Sequence, residues 1–156
     1  MSHVSEIMNT EVVSVHPEDQ LEDVVKTLTK YNISGVPVVD GENKVVGVIS
    51  DRDLLKHSER LRIIPLIDYS AWVLPYAYLP DSVIYEKNTE IFSKTKTEDV
   101  MSKRVATIRE NATWHDAARL MRRHGVNRVP VIDAQRKLIG IVTRTDLLNH
   151  LAEQDA

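Results

Sequence analysis

Apolar positions along this chain follow two periods in alternation, and the whole alternation occurs twice. Leu21, Val24, Val25 and Leu28 keep the spacing of a one-sided helix, and Trp114, Ala117, Ala118 and Met121 keep it again 93 residues later. Short β-branched runs precede these stripes at Val12–Val15 and Val105–Ile108 and predict strands. Two further runs follow each stripe. Val36–Val39 and Val129–Ile132 carry Pro37 and Pro130 near their starts, so they read as strands with the proline early or on an edge. Val45–Ser50 and Leu138–Thr143 come next, after turns at Gly41-Glu42-Asn43 and Ala134-Gln135-Arg136. A last helix is predicted from Asp51 in the first set and Arg144 in the second, running past a Leu-Leu pair. Each set therefore reads β-α-β-β-α. Thr113 with Asp116 fits a capping box at the start of its helix, whereas Gln20 with Asp23 is a weaker counterpart because glutamine caps poorly.

The two sets are copies of one unit. At a constant offset of 93, residues 8–55 align with 101–148 without a gap and with twelve identities. These include Met8/Met101, Pro37/Pro130, Gly47/Gly140 and the blocks Asp53-Leu54-Leu55 and Asp146-Leu147-Leu148. Such self-similarity marks a repeat. One copy has little core of its own, so each apolar sheet face needs a cover, and the other copy is the natural one. The expectation is an α/β (α+β) fold. Two repeats would pack sheet to sheet with pseudo-twofold symmetry and leave two clefts at their junction. The copies would occupy residues 1–57 and 96–156, with an insert over 58–95. That insert holds six of the eight aromatics, Trp72 and Tyr76 among them, and is too apolar for a solvated linker. It is expected to pack on the module or on a dimer partner; a lid or a docking surface is the alternative.

Composition narrows the class. With 42% hydrophobic and 28% charged residues, the 156-residue chain is an ordinary globular protein. It has no cysteine, which excludes a disulfide framework, a thiolate zinc site and a cysteine nucleophile. A net charge of -3 gives no reason to expect nucleic acid as a partner. No secretory signal opens the chain and no apolar run approaches the ~20 residues of a membrane span, so a cytoplasmic protein is expected. The six histidines show no metal-ligand spacing, there is no glycine-rich phosphate loop, and no nucleophile with its base stands out. No metal, no catalytic residue and no enzyme activity are therefore expected.

The chemistry concentrates where the third strand of each copy meets the last helix. Ser50 and Asp53 in one copy, and Thr143 and Asp146 in the other, place a hydroxyl and a carboxylate in the first turn of a helix. The spacing has two readings. It is a capping box with aspartate in place of glutamate, and it is also a grip for a ligand beside unpaired backbone N–H groups.

The segments Ile33-Ser34-Gly35-Val36-Pro37-Val38-Val39-Asp40 and Gly47-Val48-Ile49-Ser50-Asp51-Arg52-Asp53 resemble the two motifs of a CBS domain, the family named after cystathionine beta-synthase. Val126-Asn127-Arg128-Val129-Pro130-Val131-Ile132-Asp133 and Gly140-Ile141-Val142-Thr143-Arg144-Thr145-Asp146 resemble them again. The resemblance covers about two thirds of the chain. It implies a Bateman module: a regulatory sensor of adenine nucleotides, often a homodimer, acting on a target protein. Members of the family bind AMP, ADP, ATP, S-adenosylmethionine or other adenosyl compounds as regulatory ligands, and some bind none. One site would join Val13, Ile33, Ser34 and Gly35 to Arg128, Thr143 and Asp146. The other would join Ala106, Val126 and Asn127 to Ser50 and Asp53. Each aspartate would accept from two ribose hydroxyls, each Ser or Thr would donate to a phosphate, and the apolar residues would lie against adenine. The same apolar residues also suit a plain core. Arg128 and Arg144 stand where the first copy has Gly35 and Asp51, so the cleft ending in Asp146 is expected to prefer a phosphorylated ligand, unless both arginines point to water or pair with acids.

Overall fold

The computed structural model describes residues 2–60 and 94–155. Its elements, in chain order, are α1 (Val4–Ile7), α2 (Leu21–Tyr31), β1 (Gly35–Val39), β2 (Val45–Ser50), α3 (Asp51–Arg60), α4 (Thr97–Val100), β3 (Ile108–Arg109), α5 (Trp114–His124), β4 (Arg128–Ile132), β5 (Leu138–Thr143) and α6 (Arg144–Gln154). The fold is mixed α/β with two sheets, β1-β2 and β3-β4-β5. Most of the aromatic insert lies outside the described residues, as residues 61–93, and with it the expectation of a packed segment, lid or docking surface. No helix among the described residues is long and apolar enough to cross a membrane.

The chain forms two compact units. The first takes Met1–Ser14, Val39–Val46 and Arg104–Ala156. In its core, Val4, Ile108, Ala117, Met121, Val129, Val131, Val142 and Leu147 are buried together. Its three-stranded sheet pairs β3 with β4 in parallel and β4 with β5 in antiparallel. Pro130 sits in the central strand, where a missing N–H should cost a ladder bond. The cost is avoided because β3 reaches only Val131 and Ile132, so β4 is still an edge on that side at Pro130. A second cluster joins Val39, Val45, Ile132 and Leu138, with Val12 and Val105 packed against it.

The second unit takes Val15–Val38 and Gly47–Lys103. Leu21, Val24 and Leu28 bury the predicted face of α2, and Val36, Val38 and Ile49 are fully or almost fully buried. Both long amphipathic helices end at the same repeat position in a left-handed residue, Asn32 at φ 51° and Gly125 at φ 63°, which the amide and the glycine tolerate. The predicted difference in their starts holds: Thr113 and Asp116 form a full capping box, and Gln20 makes no side-chain cap bond.

The first strand of each copy departs from expectation. Of Val12–Val15, only Val15 makes a bridge, parallel to Val38. The ladder expected over Val105–Ile108 begins only at Ile108 and runs on to Arg109. Val12 and Val105 are drawn instead into the second cluster of the first unit, so the backbone there follows side-chain packing.

The identical Met and Gly positions also find their partners. Met8 lies on Gly140, where an added Cβ would stand 2.5 Å from its sulfur, and Met101 lies on Gly47 with the same 2.5 Å separation. Beside each methionine the next residue bridges a strand: Asn9 with Ile141, and Ser102 with Val48. Each methionine thus lies on the glycine of the opposite sequence copy.

Candidate functional site

The corners where β2 meets α3 and β5 meets α6 are built alike. Burial alternates along β2 and β5, so the last residue of each, Ser50 or Thr143, is half-buried and faces away from the fully buried side. The helix then starts at once. Its first N–H is taken by a loop carbonyl: Asp51 N donates to Ser34 O at 2.8 Å, and Arg144 N donates to Asn127 O at 2.8 Å. The loop before the middle strand is thereby tied to the helix start in both units.

The aspartates close the corner. Asp146 Oδ2 accepts from Thr143 N at 2.7 Å and from Thr143 Oγ1 at 2.8 Å, while Asp146 N donates to that hydroxyl at 3.2 Å. Asp53 Oδ2 accepts from Ser50 N at 2.9 Å and from Ser50 Oγ at 3.1 Å, and Asp53 N reaches back at 3.4 Å. The capping reading of the Ser/Thr-x-x-Asp spacing is therefore realised in both units.

A third box in the same chain shows what capping alone looks like. Asp116 Oδ2 accepts from Thr113 N and Oγ1, and its other oxygen, Oδ1, is taken by Arg119 at 2.8 Å. The hydrogen bonds from Thr113, backbone first, together with the Arg119 charge, hold the Asp116 carboxyl below the ordinary aspartate range. At Asp53 and Asp146 only Oδ2 serves the box, and no hydrogen bond among the described residues engages Oδ1. Both aspartates are half-buried. Each corner therefore keeps one carboxylate oxygen with acceptor capacity for donors from outside the chain.

The sequence-predicted residues divide as follows. In the first unit, Asn127, Arg128, Thr143, Arg144 and Asp146 come together. Arg128 is the direct antiparallel partner of Thr143, which puts their side chains on one face of the sheet. In the second unit, Ser34 and Gly35 meet Ser50 and Asp53. A Cβ on Gly35 would stand 3.2 Å from Ile49 O and 3.3 Å from Ser50 Cβ, so the strand backbone passes close to the corner. Ile33 is half-buried at the end of the α2 loop, and its N–H is held by Leu28 O at 3.0 Å. Val126 packs against the first-unit core, in line with the plain-core reading. Val13 and Ala106 stand half-buried in irregular backbone before the first bridge or strand. Asp51, contrasted with Arg144 in sequence but not counted among the ligand residues, accepts from Arg52 N through Oδ1 at 2.7 Å. An acid in the first helical position was the available signal. Among the described residues no group of three His, Asp or Glu side chains is placed to hold a metal ion.

Comparison with known proteins gives the family. The family model of the CBS domain matches residues 4–60 and 98–153. Uncharacterized protein MJ1426 of Methanocaldococcus jannaschii is 35% identical over 152 residues, covering 95% of this chain and 90% of that protein. Inosine-5'-monophosphate dehydrogenase of Bifidobacterium longum is 33% identical over 150 residues; the match covers 96% of this chain but only 22% of the dehydrogenase. Among solved structures, CBSX2 of Arabidopsis thaliana in complex with AMP superposes with a TM-score of 0.72 at 25% identity, covering 100% of both chains.

Proposed function

The chain belongs to the CBS-domain family as a tandem pair, and on that premise we propose that it is a regulatory module that senses an adenosyl ligand, AMP, ADP, ATP or a related compound. The observation that carries the reading is the spare carboxylate oxygen of Asp53 and Asp146, set beside a hydroxyl and a helix N-terminus. A ribose offers two vicinal hydroxyl donors, which a carboxylate oxygen accepts, and a phosphate suits the N–H groups of a helix start. The AMP bound by CBSX2 supports this ligand class. The match covers only 22% of the dehydrogenase, and in this reading the present chain is regulatory and not an enzyme. It works in the cytoplasm, without a membrane or nucleic-acid partner, as a homodimer that passes its state to a target protein.

A second reading is a ligand-free structural or dimerisation module acting on a partner protein through the insert of residues 58–95; among the described residues, Leu148 and Leu151 on α6, 58% and 39% exposed, also favour it. Such side chains suit an interface. Thermal shift with a panel of adenosyl compounds separates the two. At a ligand concentration of 100 Kd, binding to the folded state adds ~2.7 kcal/mol of stability. A saturable rise in Tm for at least one adenosyl compound is expected; no rise for any of them overturns the sensor reading.

A further inference from the structure

The two corners are alike in their capping boxes and differ in the charge around them, Asp51 and Arg52 in the first against Arg144 and Arg128 in the second. Asp51 and Arg144 occupy the same repeat position, the first residue of the helix. In α3 that residue is an acid, and its Oδ1 already takes the next helical N–H, from Arg52, at 2.7 Å. A helix start offers its unpaired N–H groups to anions. Here an internal carboxylate has claimed one and set a negative charge where the anion would go. In α6 the first residue is Arg144, and among the described residues no side chain caps the following N–H, of Thr145.

The strand side repeats the contrast. Arg128 lies directly across from Thr143, so a cation flanks the hydroxyl end of the second corner. Its counterpart is Gly35, where an added Cβ would fit tightly, 3.2 Å from the Ile49 carbonyl and 3.3 Å from Ser50 Cβ. The first corner thus has no side chain where the second has an arginine. The effect is local, because the first unit as a whole is neutral, with ten Lys and Arg against ten Asp and Glu.

We infer that the two corners sort adenosyl ligands by charge: the corner of Thr143 and Asp146 takes the phosphorylated form, and the corner of Ser50 and Asp53 takes an uncharged or cationic one. This rests on the adenosyl-ligand reading above and adds a division of labour to it. The chain then compares two ligand pools and does not count one ligand twice.

The test is calorimetric titration of the full chain with AMP and with adenosine, using charge-removing variants of similar size. Arg128→Gln is expected to weaken AMP by about tenfold or more, the loss of one charge-assisted contact, while adenosine changes by less than about threefold. Asp51→Asn keeps an oxygen for the Arg52 N–H but removes the charge. It is expected to strengthen the weaker of two AMP-binding events by about tenfold. Equal weakening of AMP and adenosine by Arg128→Gln, or an unchanged weaker event in Asp51→Asn, overturns the inference while leaving the sensor reading in place. Absence of binding by both probes to the parent chain removes the sensor reading and this inference with it. Melting curves of each variant exclude misfolding as the cause.

Discussion

Gly140 is a sharp place to perturb the fold, because its neighbours assign a specific partner. A Cβ at this position would stand 2.5 Å from Met8 Sδ, 2.9 Å from Met8 Cγ and 3.2 Å from Asn9 O. The thioether is flexible and can swing away. The Asn9 carbonyl cannot, because it accepts from Ile141 N at 2.9 Å while Asn9 N donates to Ile141 O at 2.8 Å. Gly140→Ala therefore overpacks the site against a fixed backbone, at a cost of ~1–3 kcal/mol. For a chain of this size that lowers Tm by roughly 3–10 °C. Met8→Ala removes the thioether from the space the new methyl needs, so the double variant should lose less than the sum of the two singles, with a coupling of about 1 kcal/mol or more. Met101→Ala should give Gly140→Ala no such relief, because Met101 lies on Gly47. Chemical denaturation of the three singles, the matched double and the mismatched double measures both couplings. Additive losses in the matched pair, or equal relief from either methionine, would refute the crossed assignment.

Three further outcomes follow from local geometry. Arg136 holds φ at 67°, a left-handed conformation that costs a non-glycine residue ~1–2 kcal/mol, so Arg136→Gly should raise Tm in a melting scan despite the extra freedom it gives the unfolded chain. Gln20 makes no side-chain cap bond while Asp23 stands three residues on, so Gln20→Ser should complete a capping box and add ~0.5–1 kcal/mol by urea denaturation; an unchanged midpoint would mean the box does not close. The Asp116 carboxyl, held low by its bonds from Thr113, contributes stability that is fully present above the ordinary aspartate value and is lost as pH falls through its depressed folded value. Acid titration of Asp116→Asn should therefore show a shallower loss of stability below about pH 4 than the parent.

Much of this architecture was legible because a repeat supplies its own control. The third strand of each copy spans the predicted Val45–Ser50 and Leu138–Thr143, since an alternating apolar run closed by a hydroxyl and followed by an S/T-x-x-D start admits little freedom. The helical stripes were legible for the same reason. The first strand was not, because Val12 and Val105 carry the β-branched signal of a strand yet spend it on packing with Val39 and Leu138, far away in sequence. The identity of Met8 with Met101 and of Gly47 with Gly140 was visible, but which methionine lies on which glycine depends on tertiary pairing that periodicity does not encode. At the corners, residue type and spacing located Asp53 and Asp146. The division of each carboxylate into a capping oxygen and a spare one, and the self-capping of α3 by Asp51, required atomic positions. Residues 101–148 alone carry a net charge of +6, but the compact first unit is neutral, because it adds Glu6, Glu11, Asp40, Glu42, Glu153 and Asp155 and exchanges Lys103 for Lys44.

In the adenosyl-sensor reading, the spare oxygen of each corner aspartate receives the ribose of the ligand. The Asp53→Asn/Asp146→Asn double variant tests it directly. An asparagine keeps a carbonyl oxygen for the Ser50 and Thr143 donors and presents an NH2 donor where the spare oxygen stood, facing two ribose donors. Calorimetry with adenosine, which lacks a phosphate, should show affinity reduced by about 30-fold or more, from the loss of ~2 kcal/mol or more, with Tm within a few degrees of the parent. Parental affinity for adenosine in a folded double variant would contradict the claim.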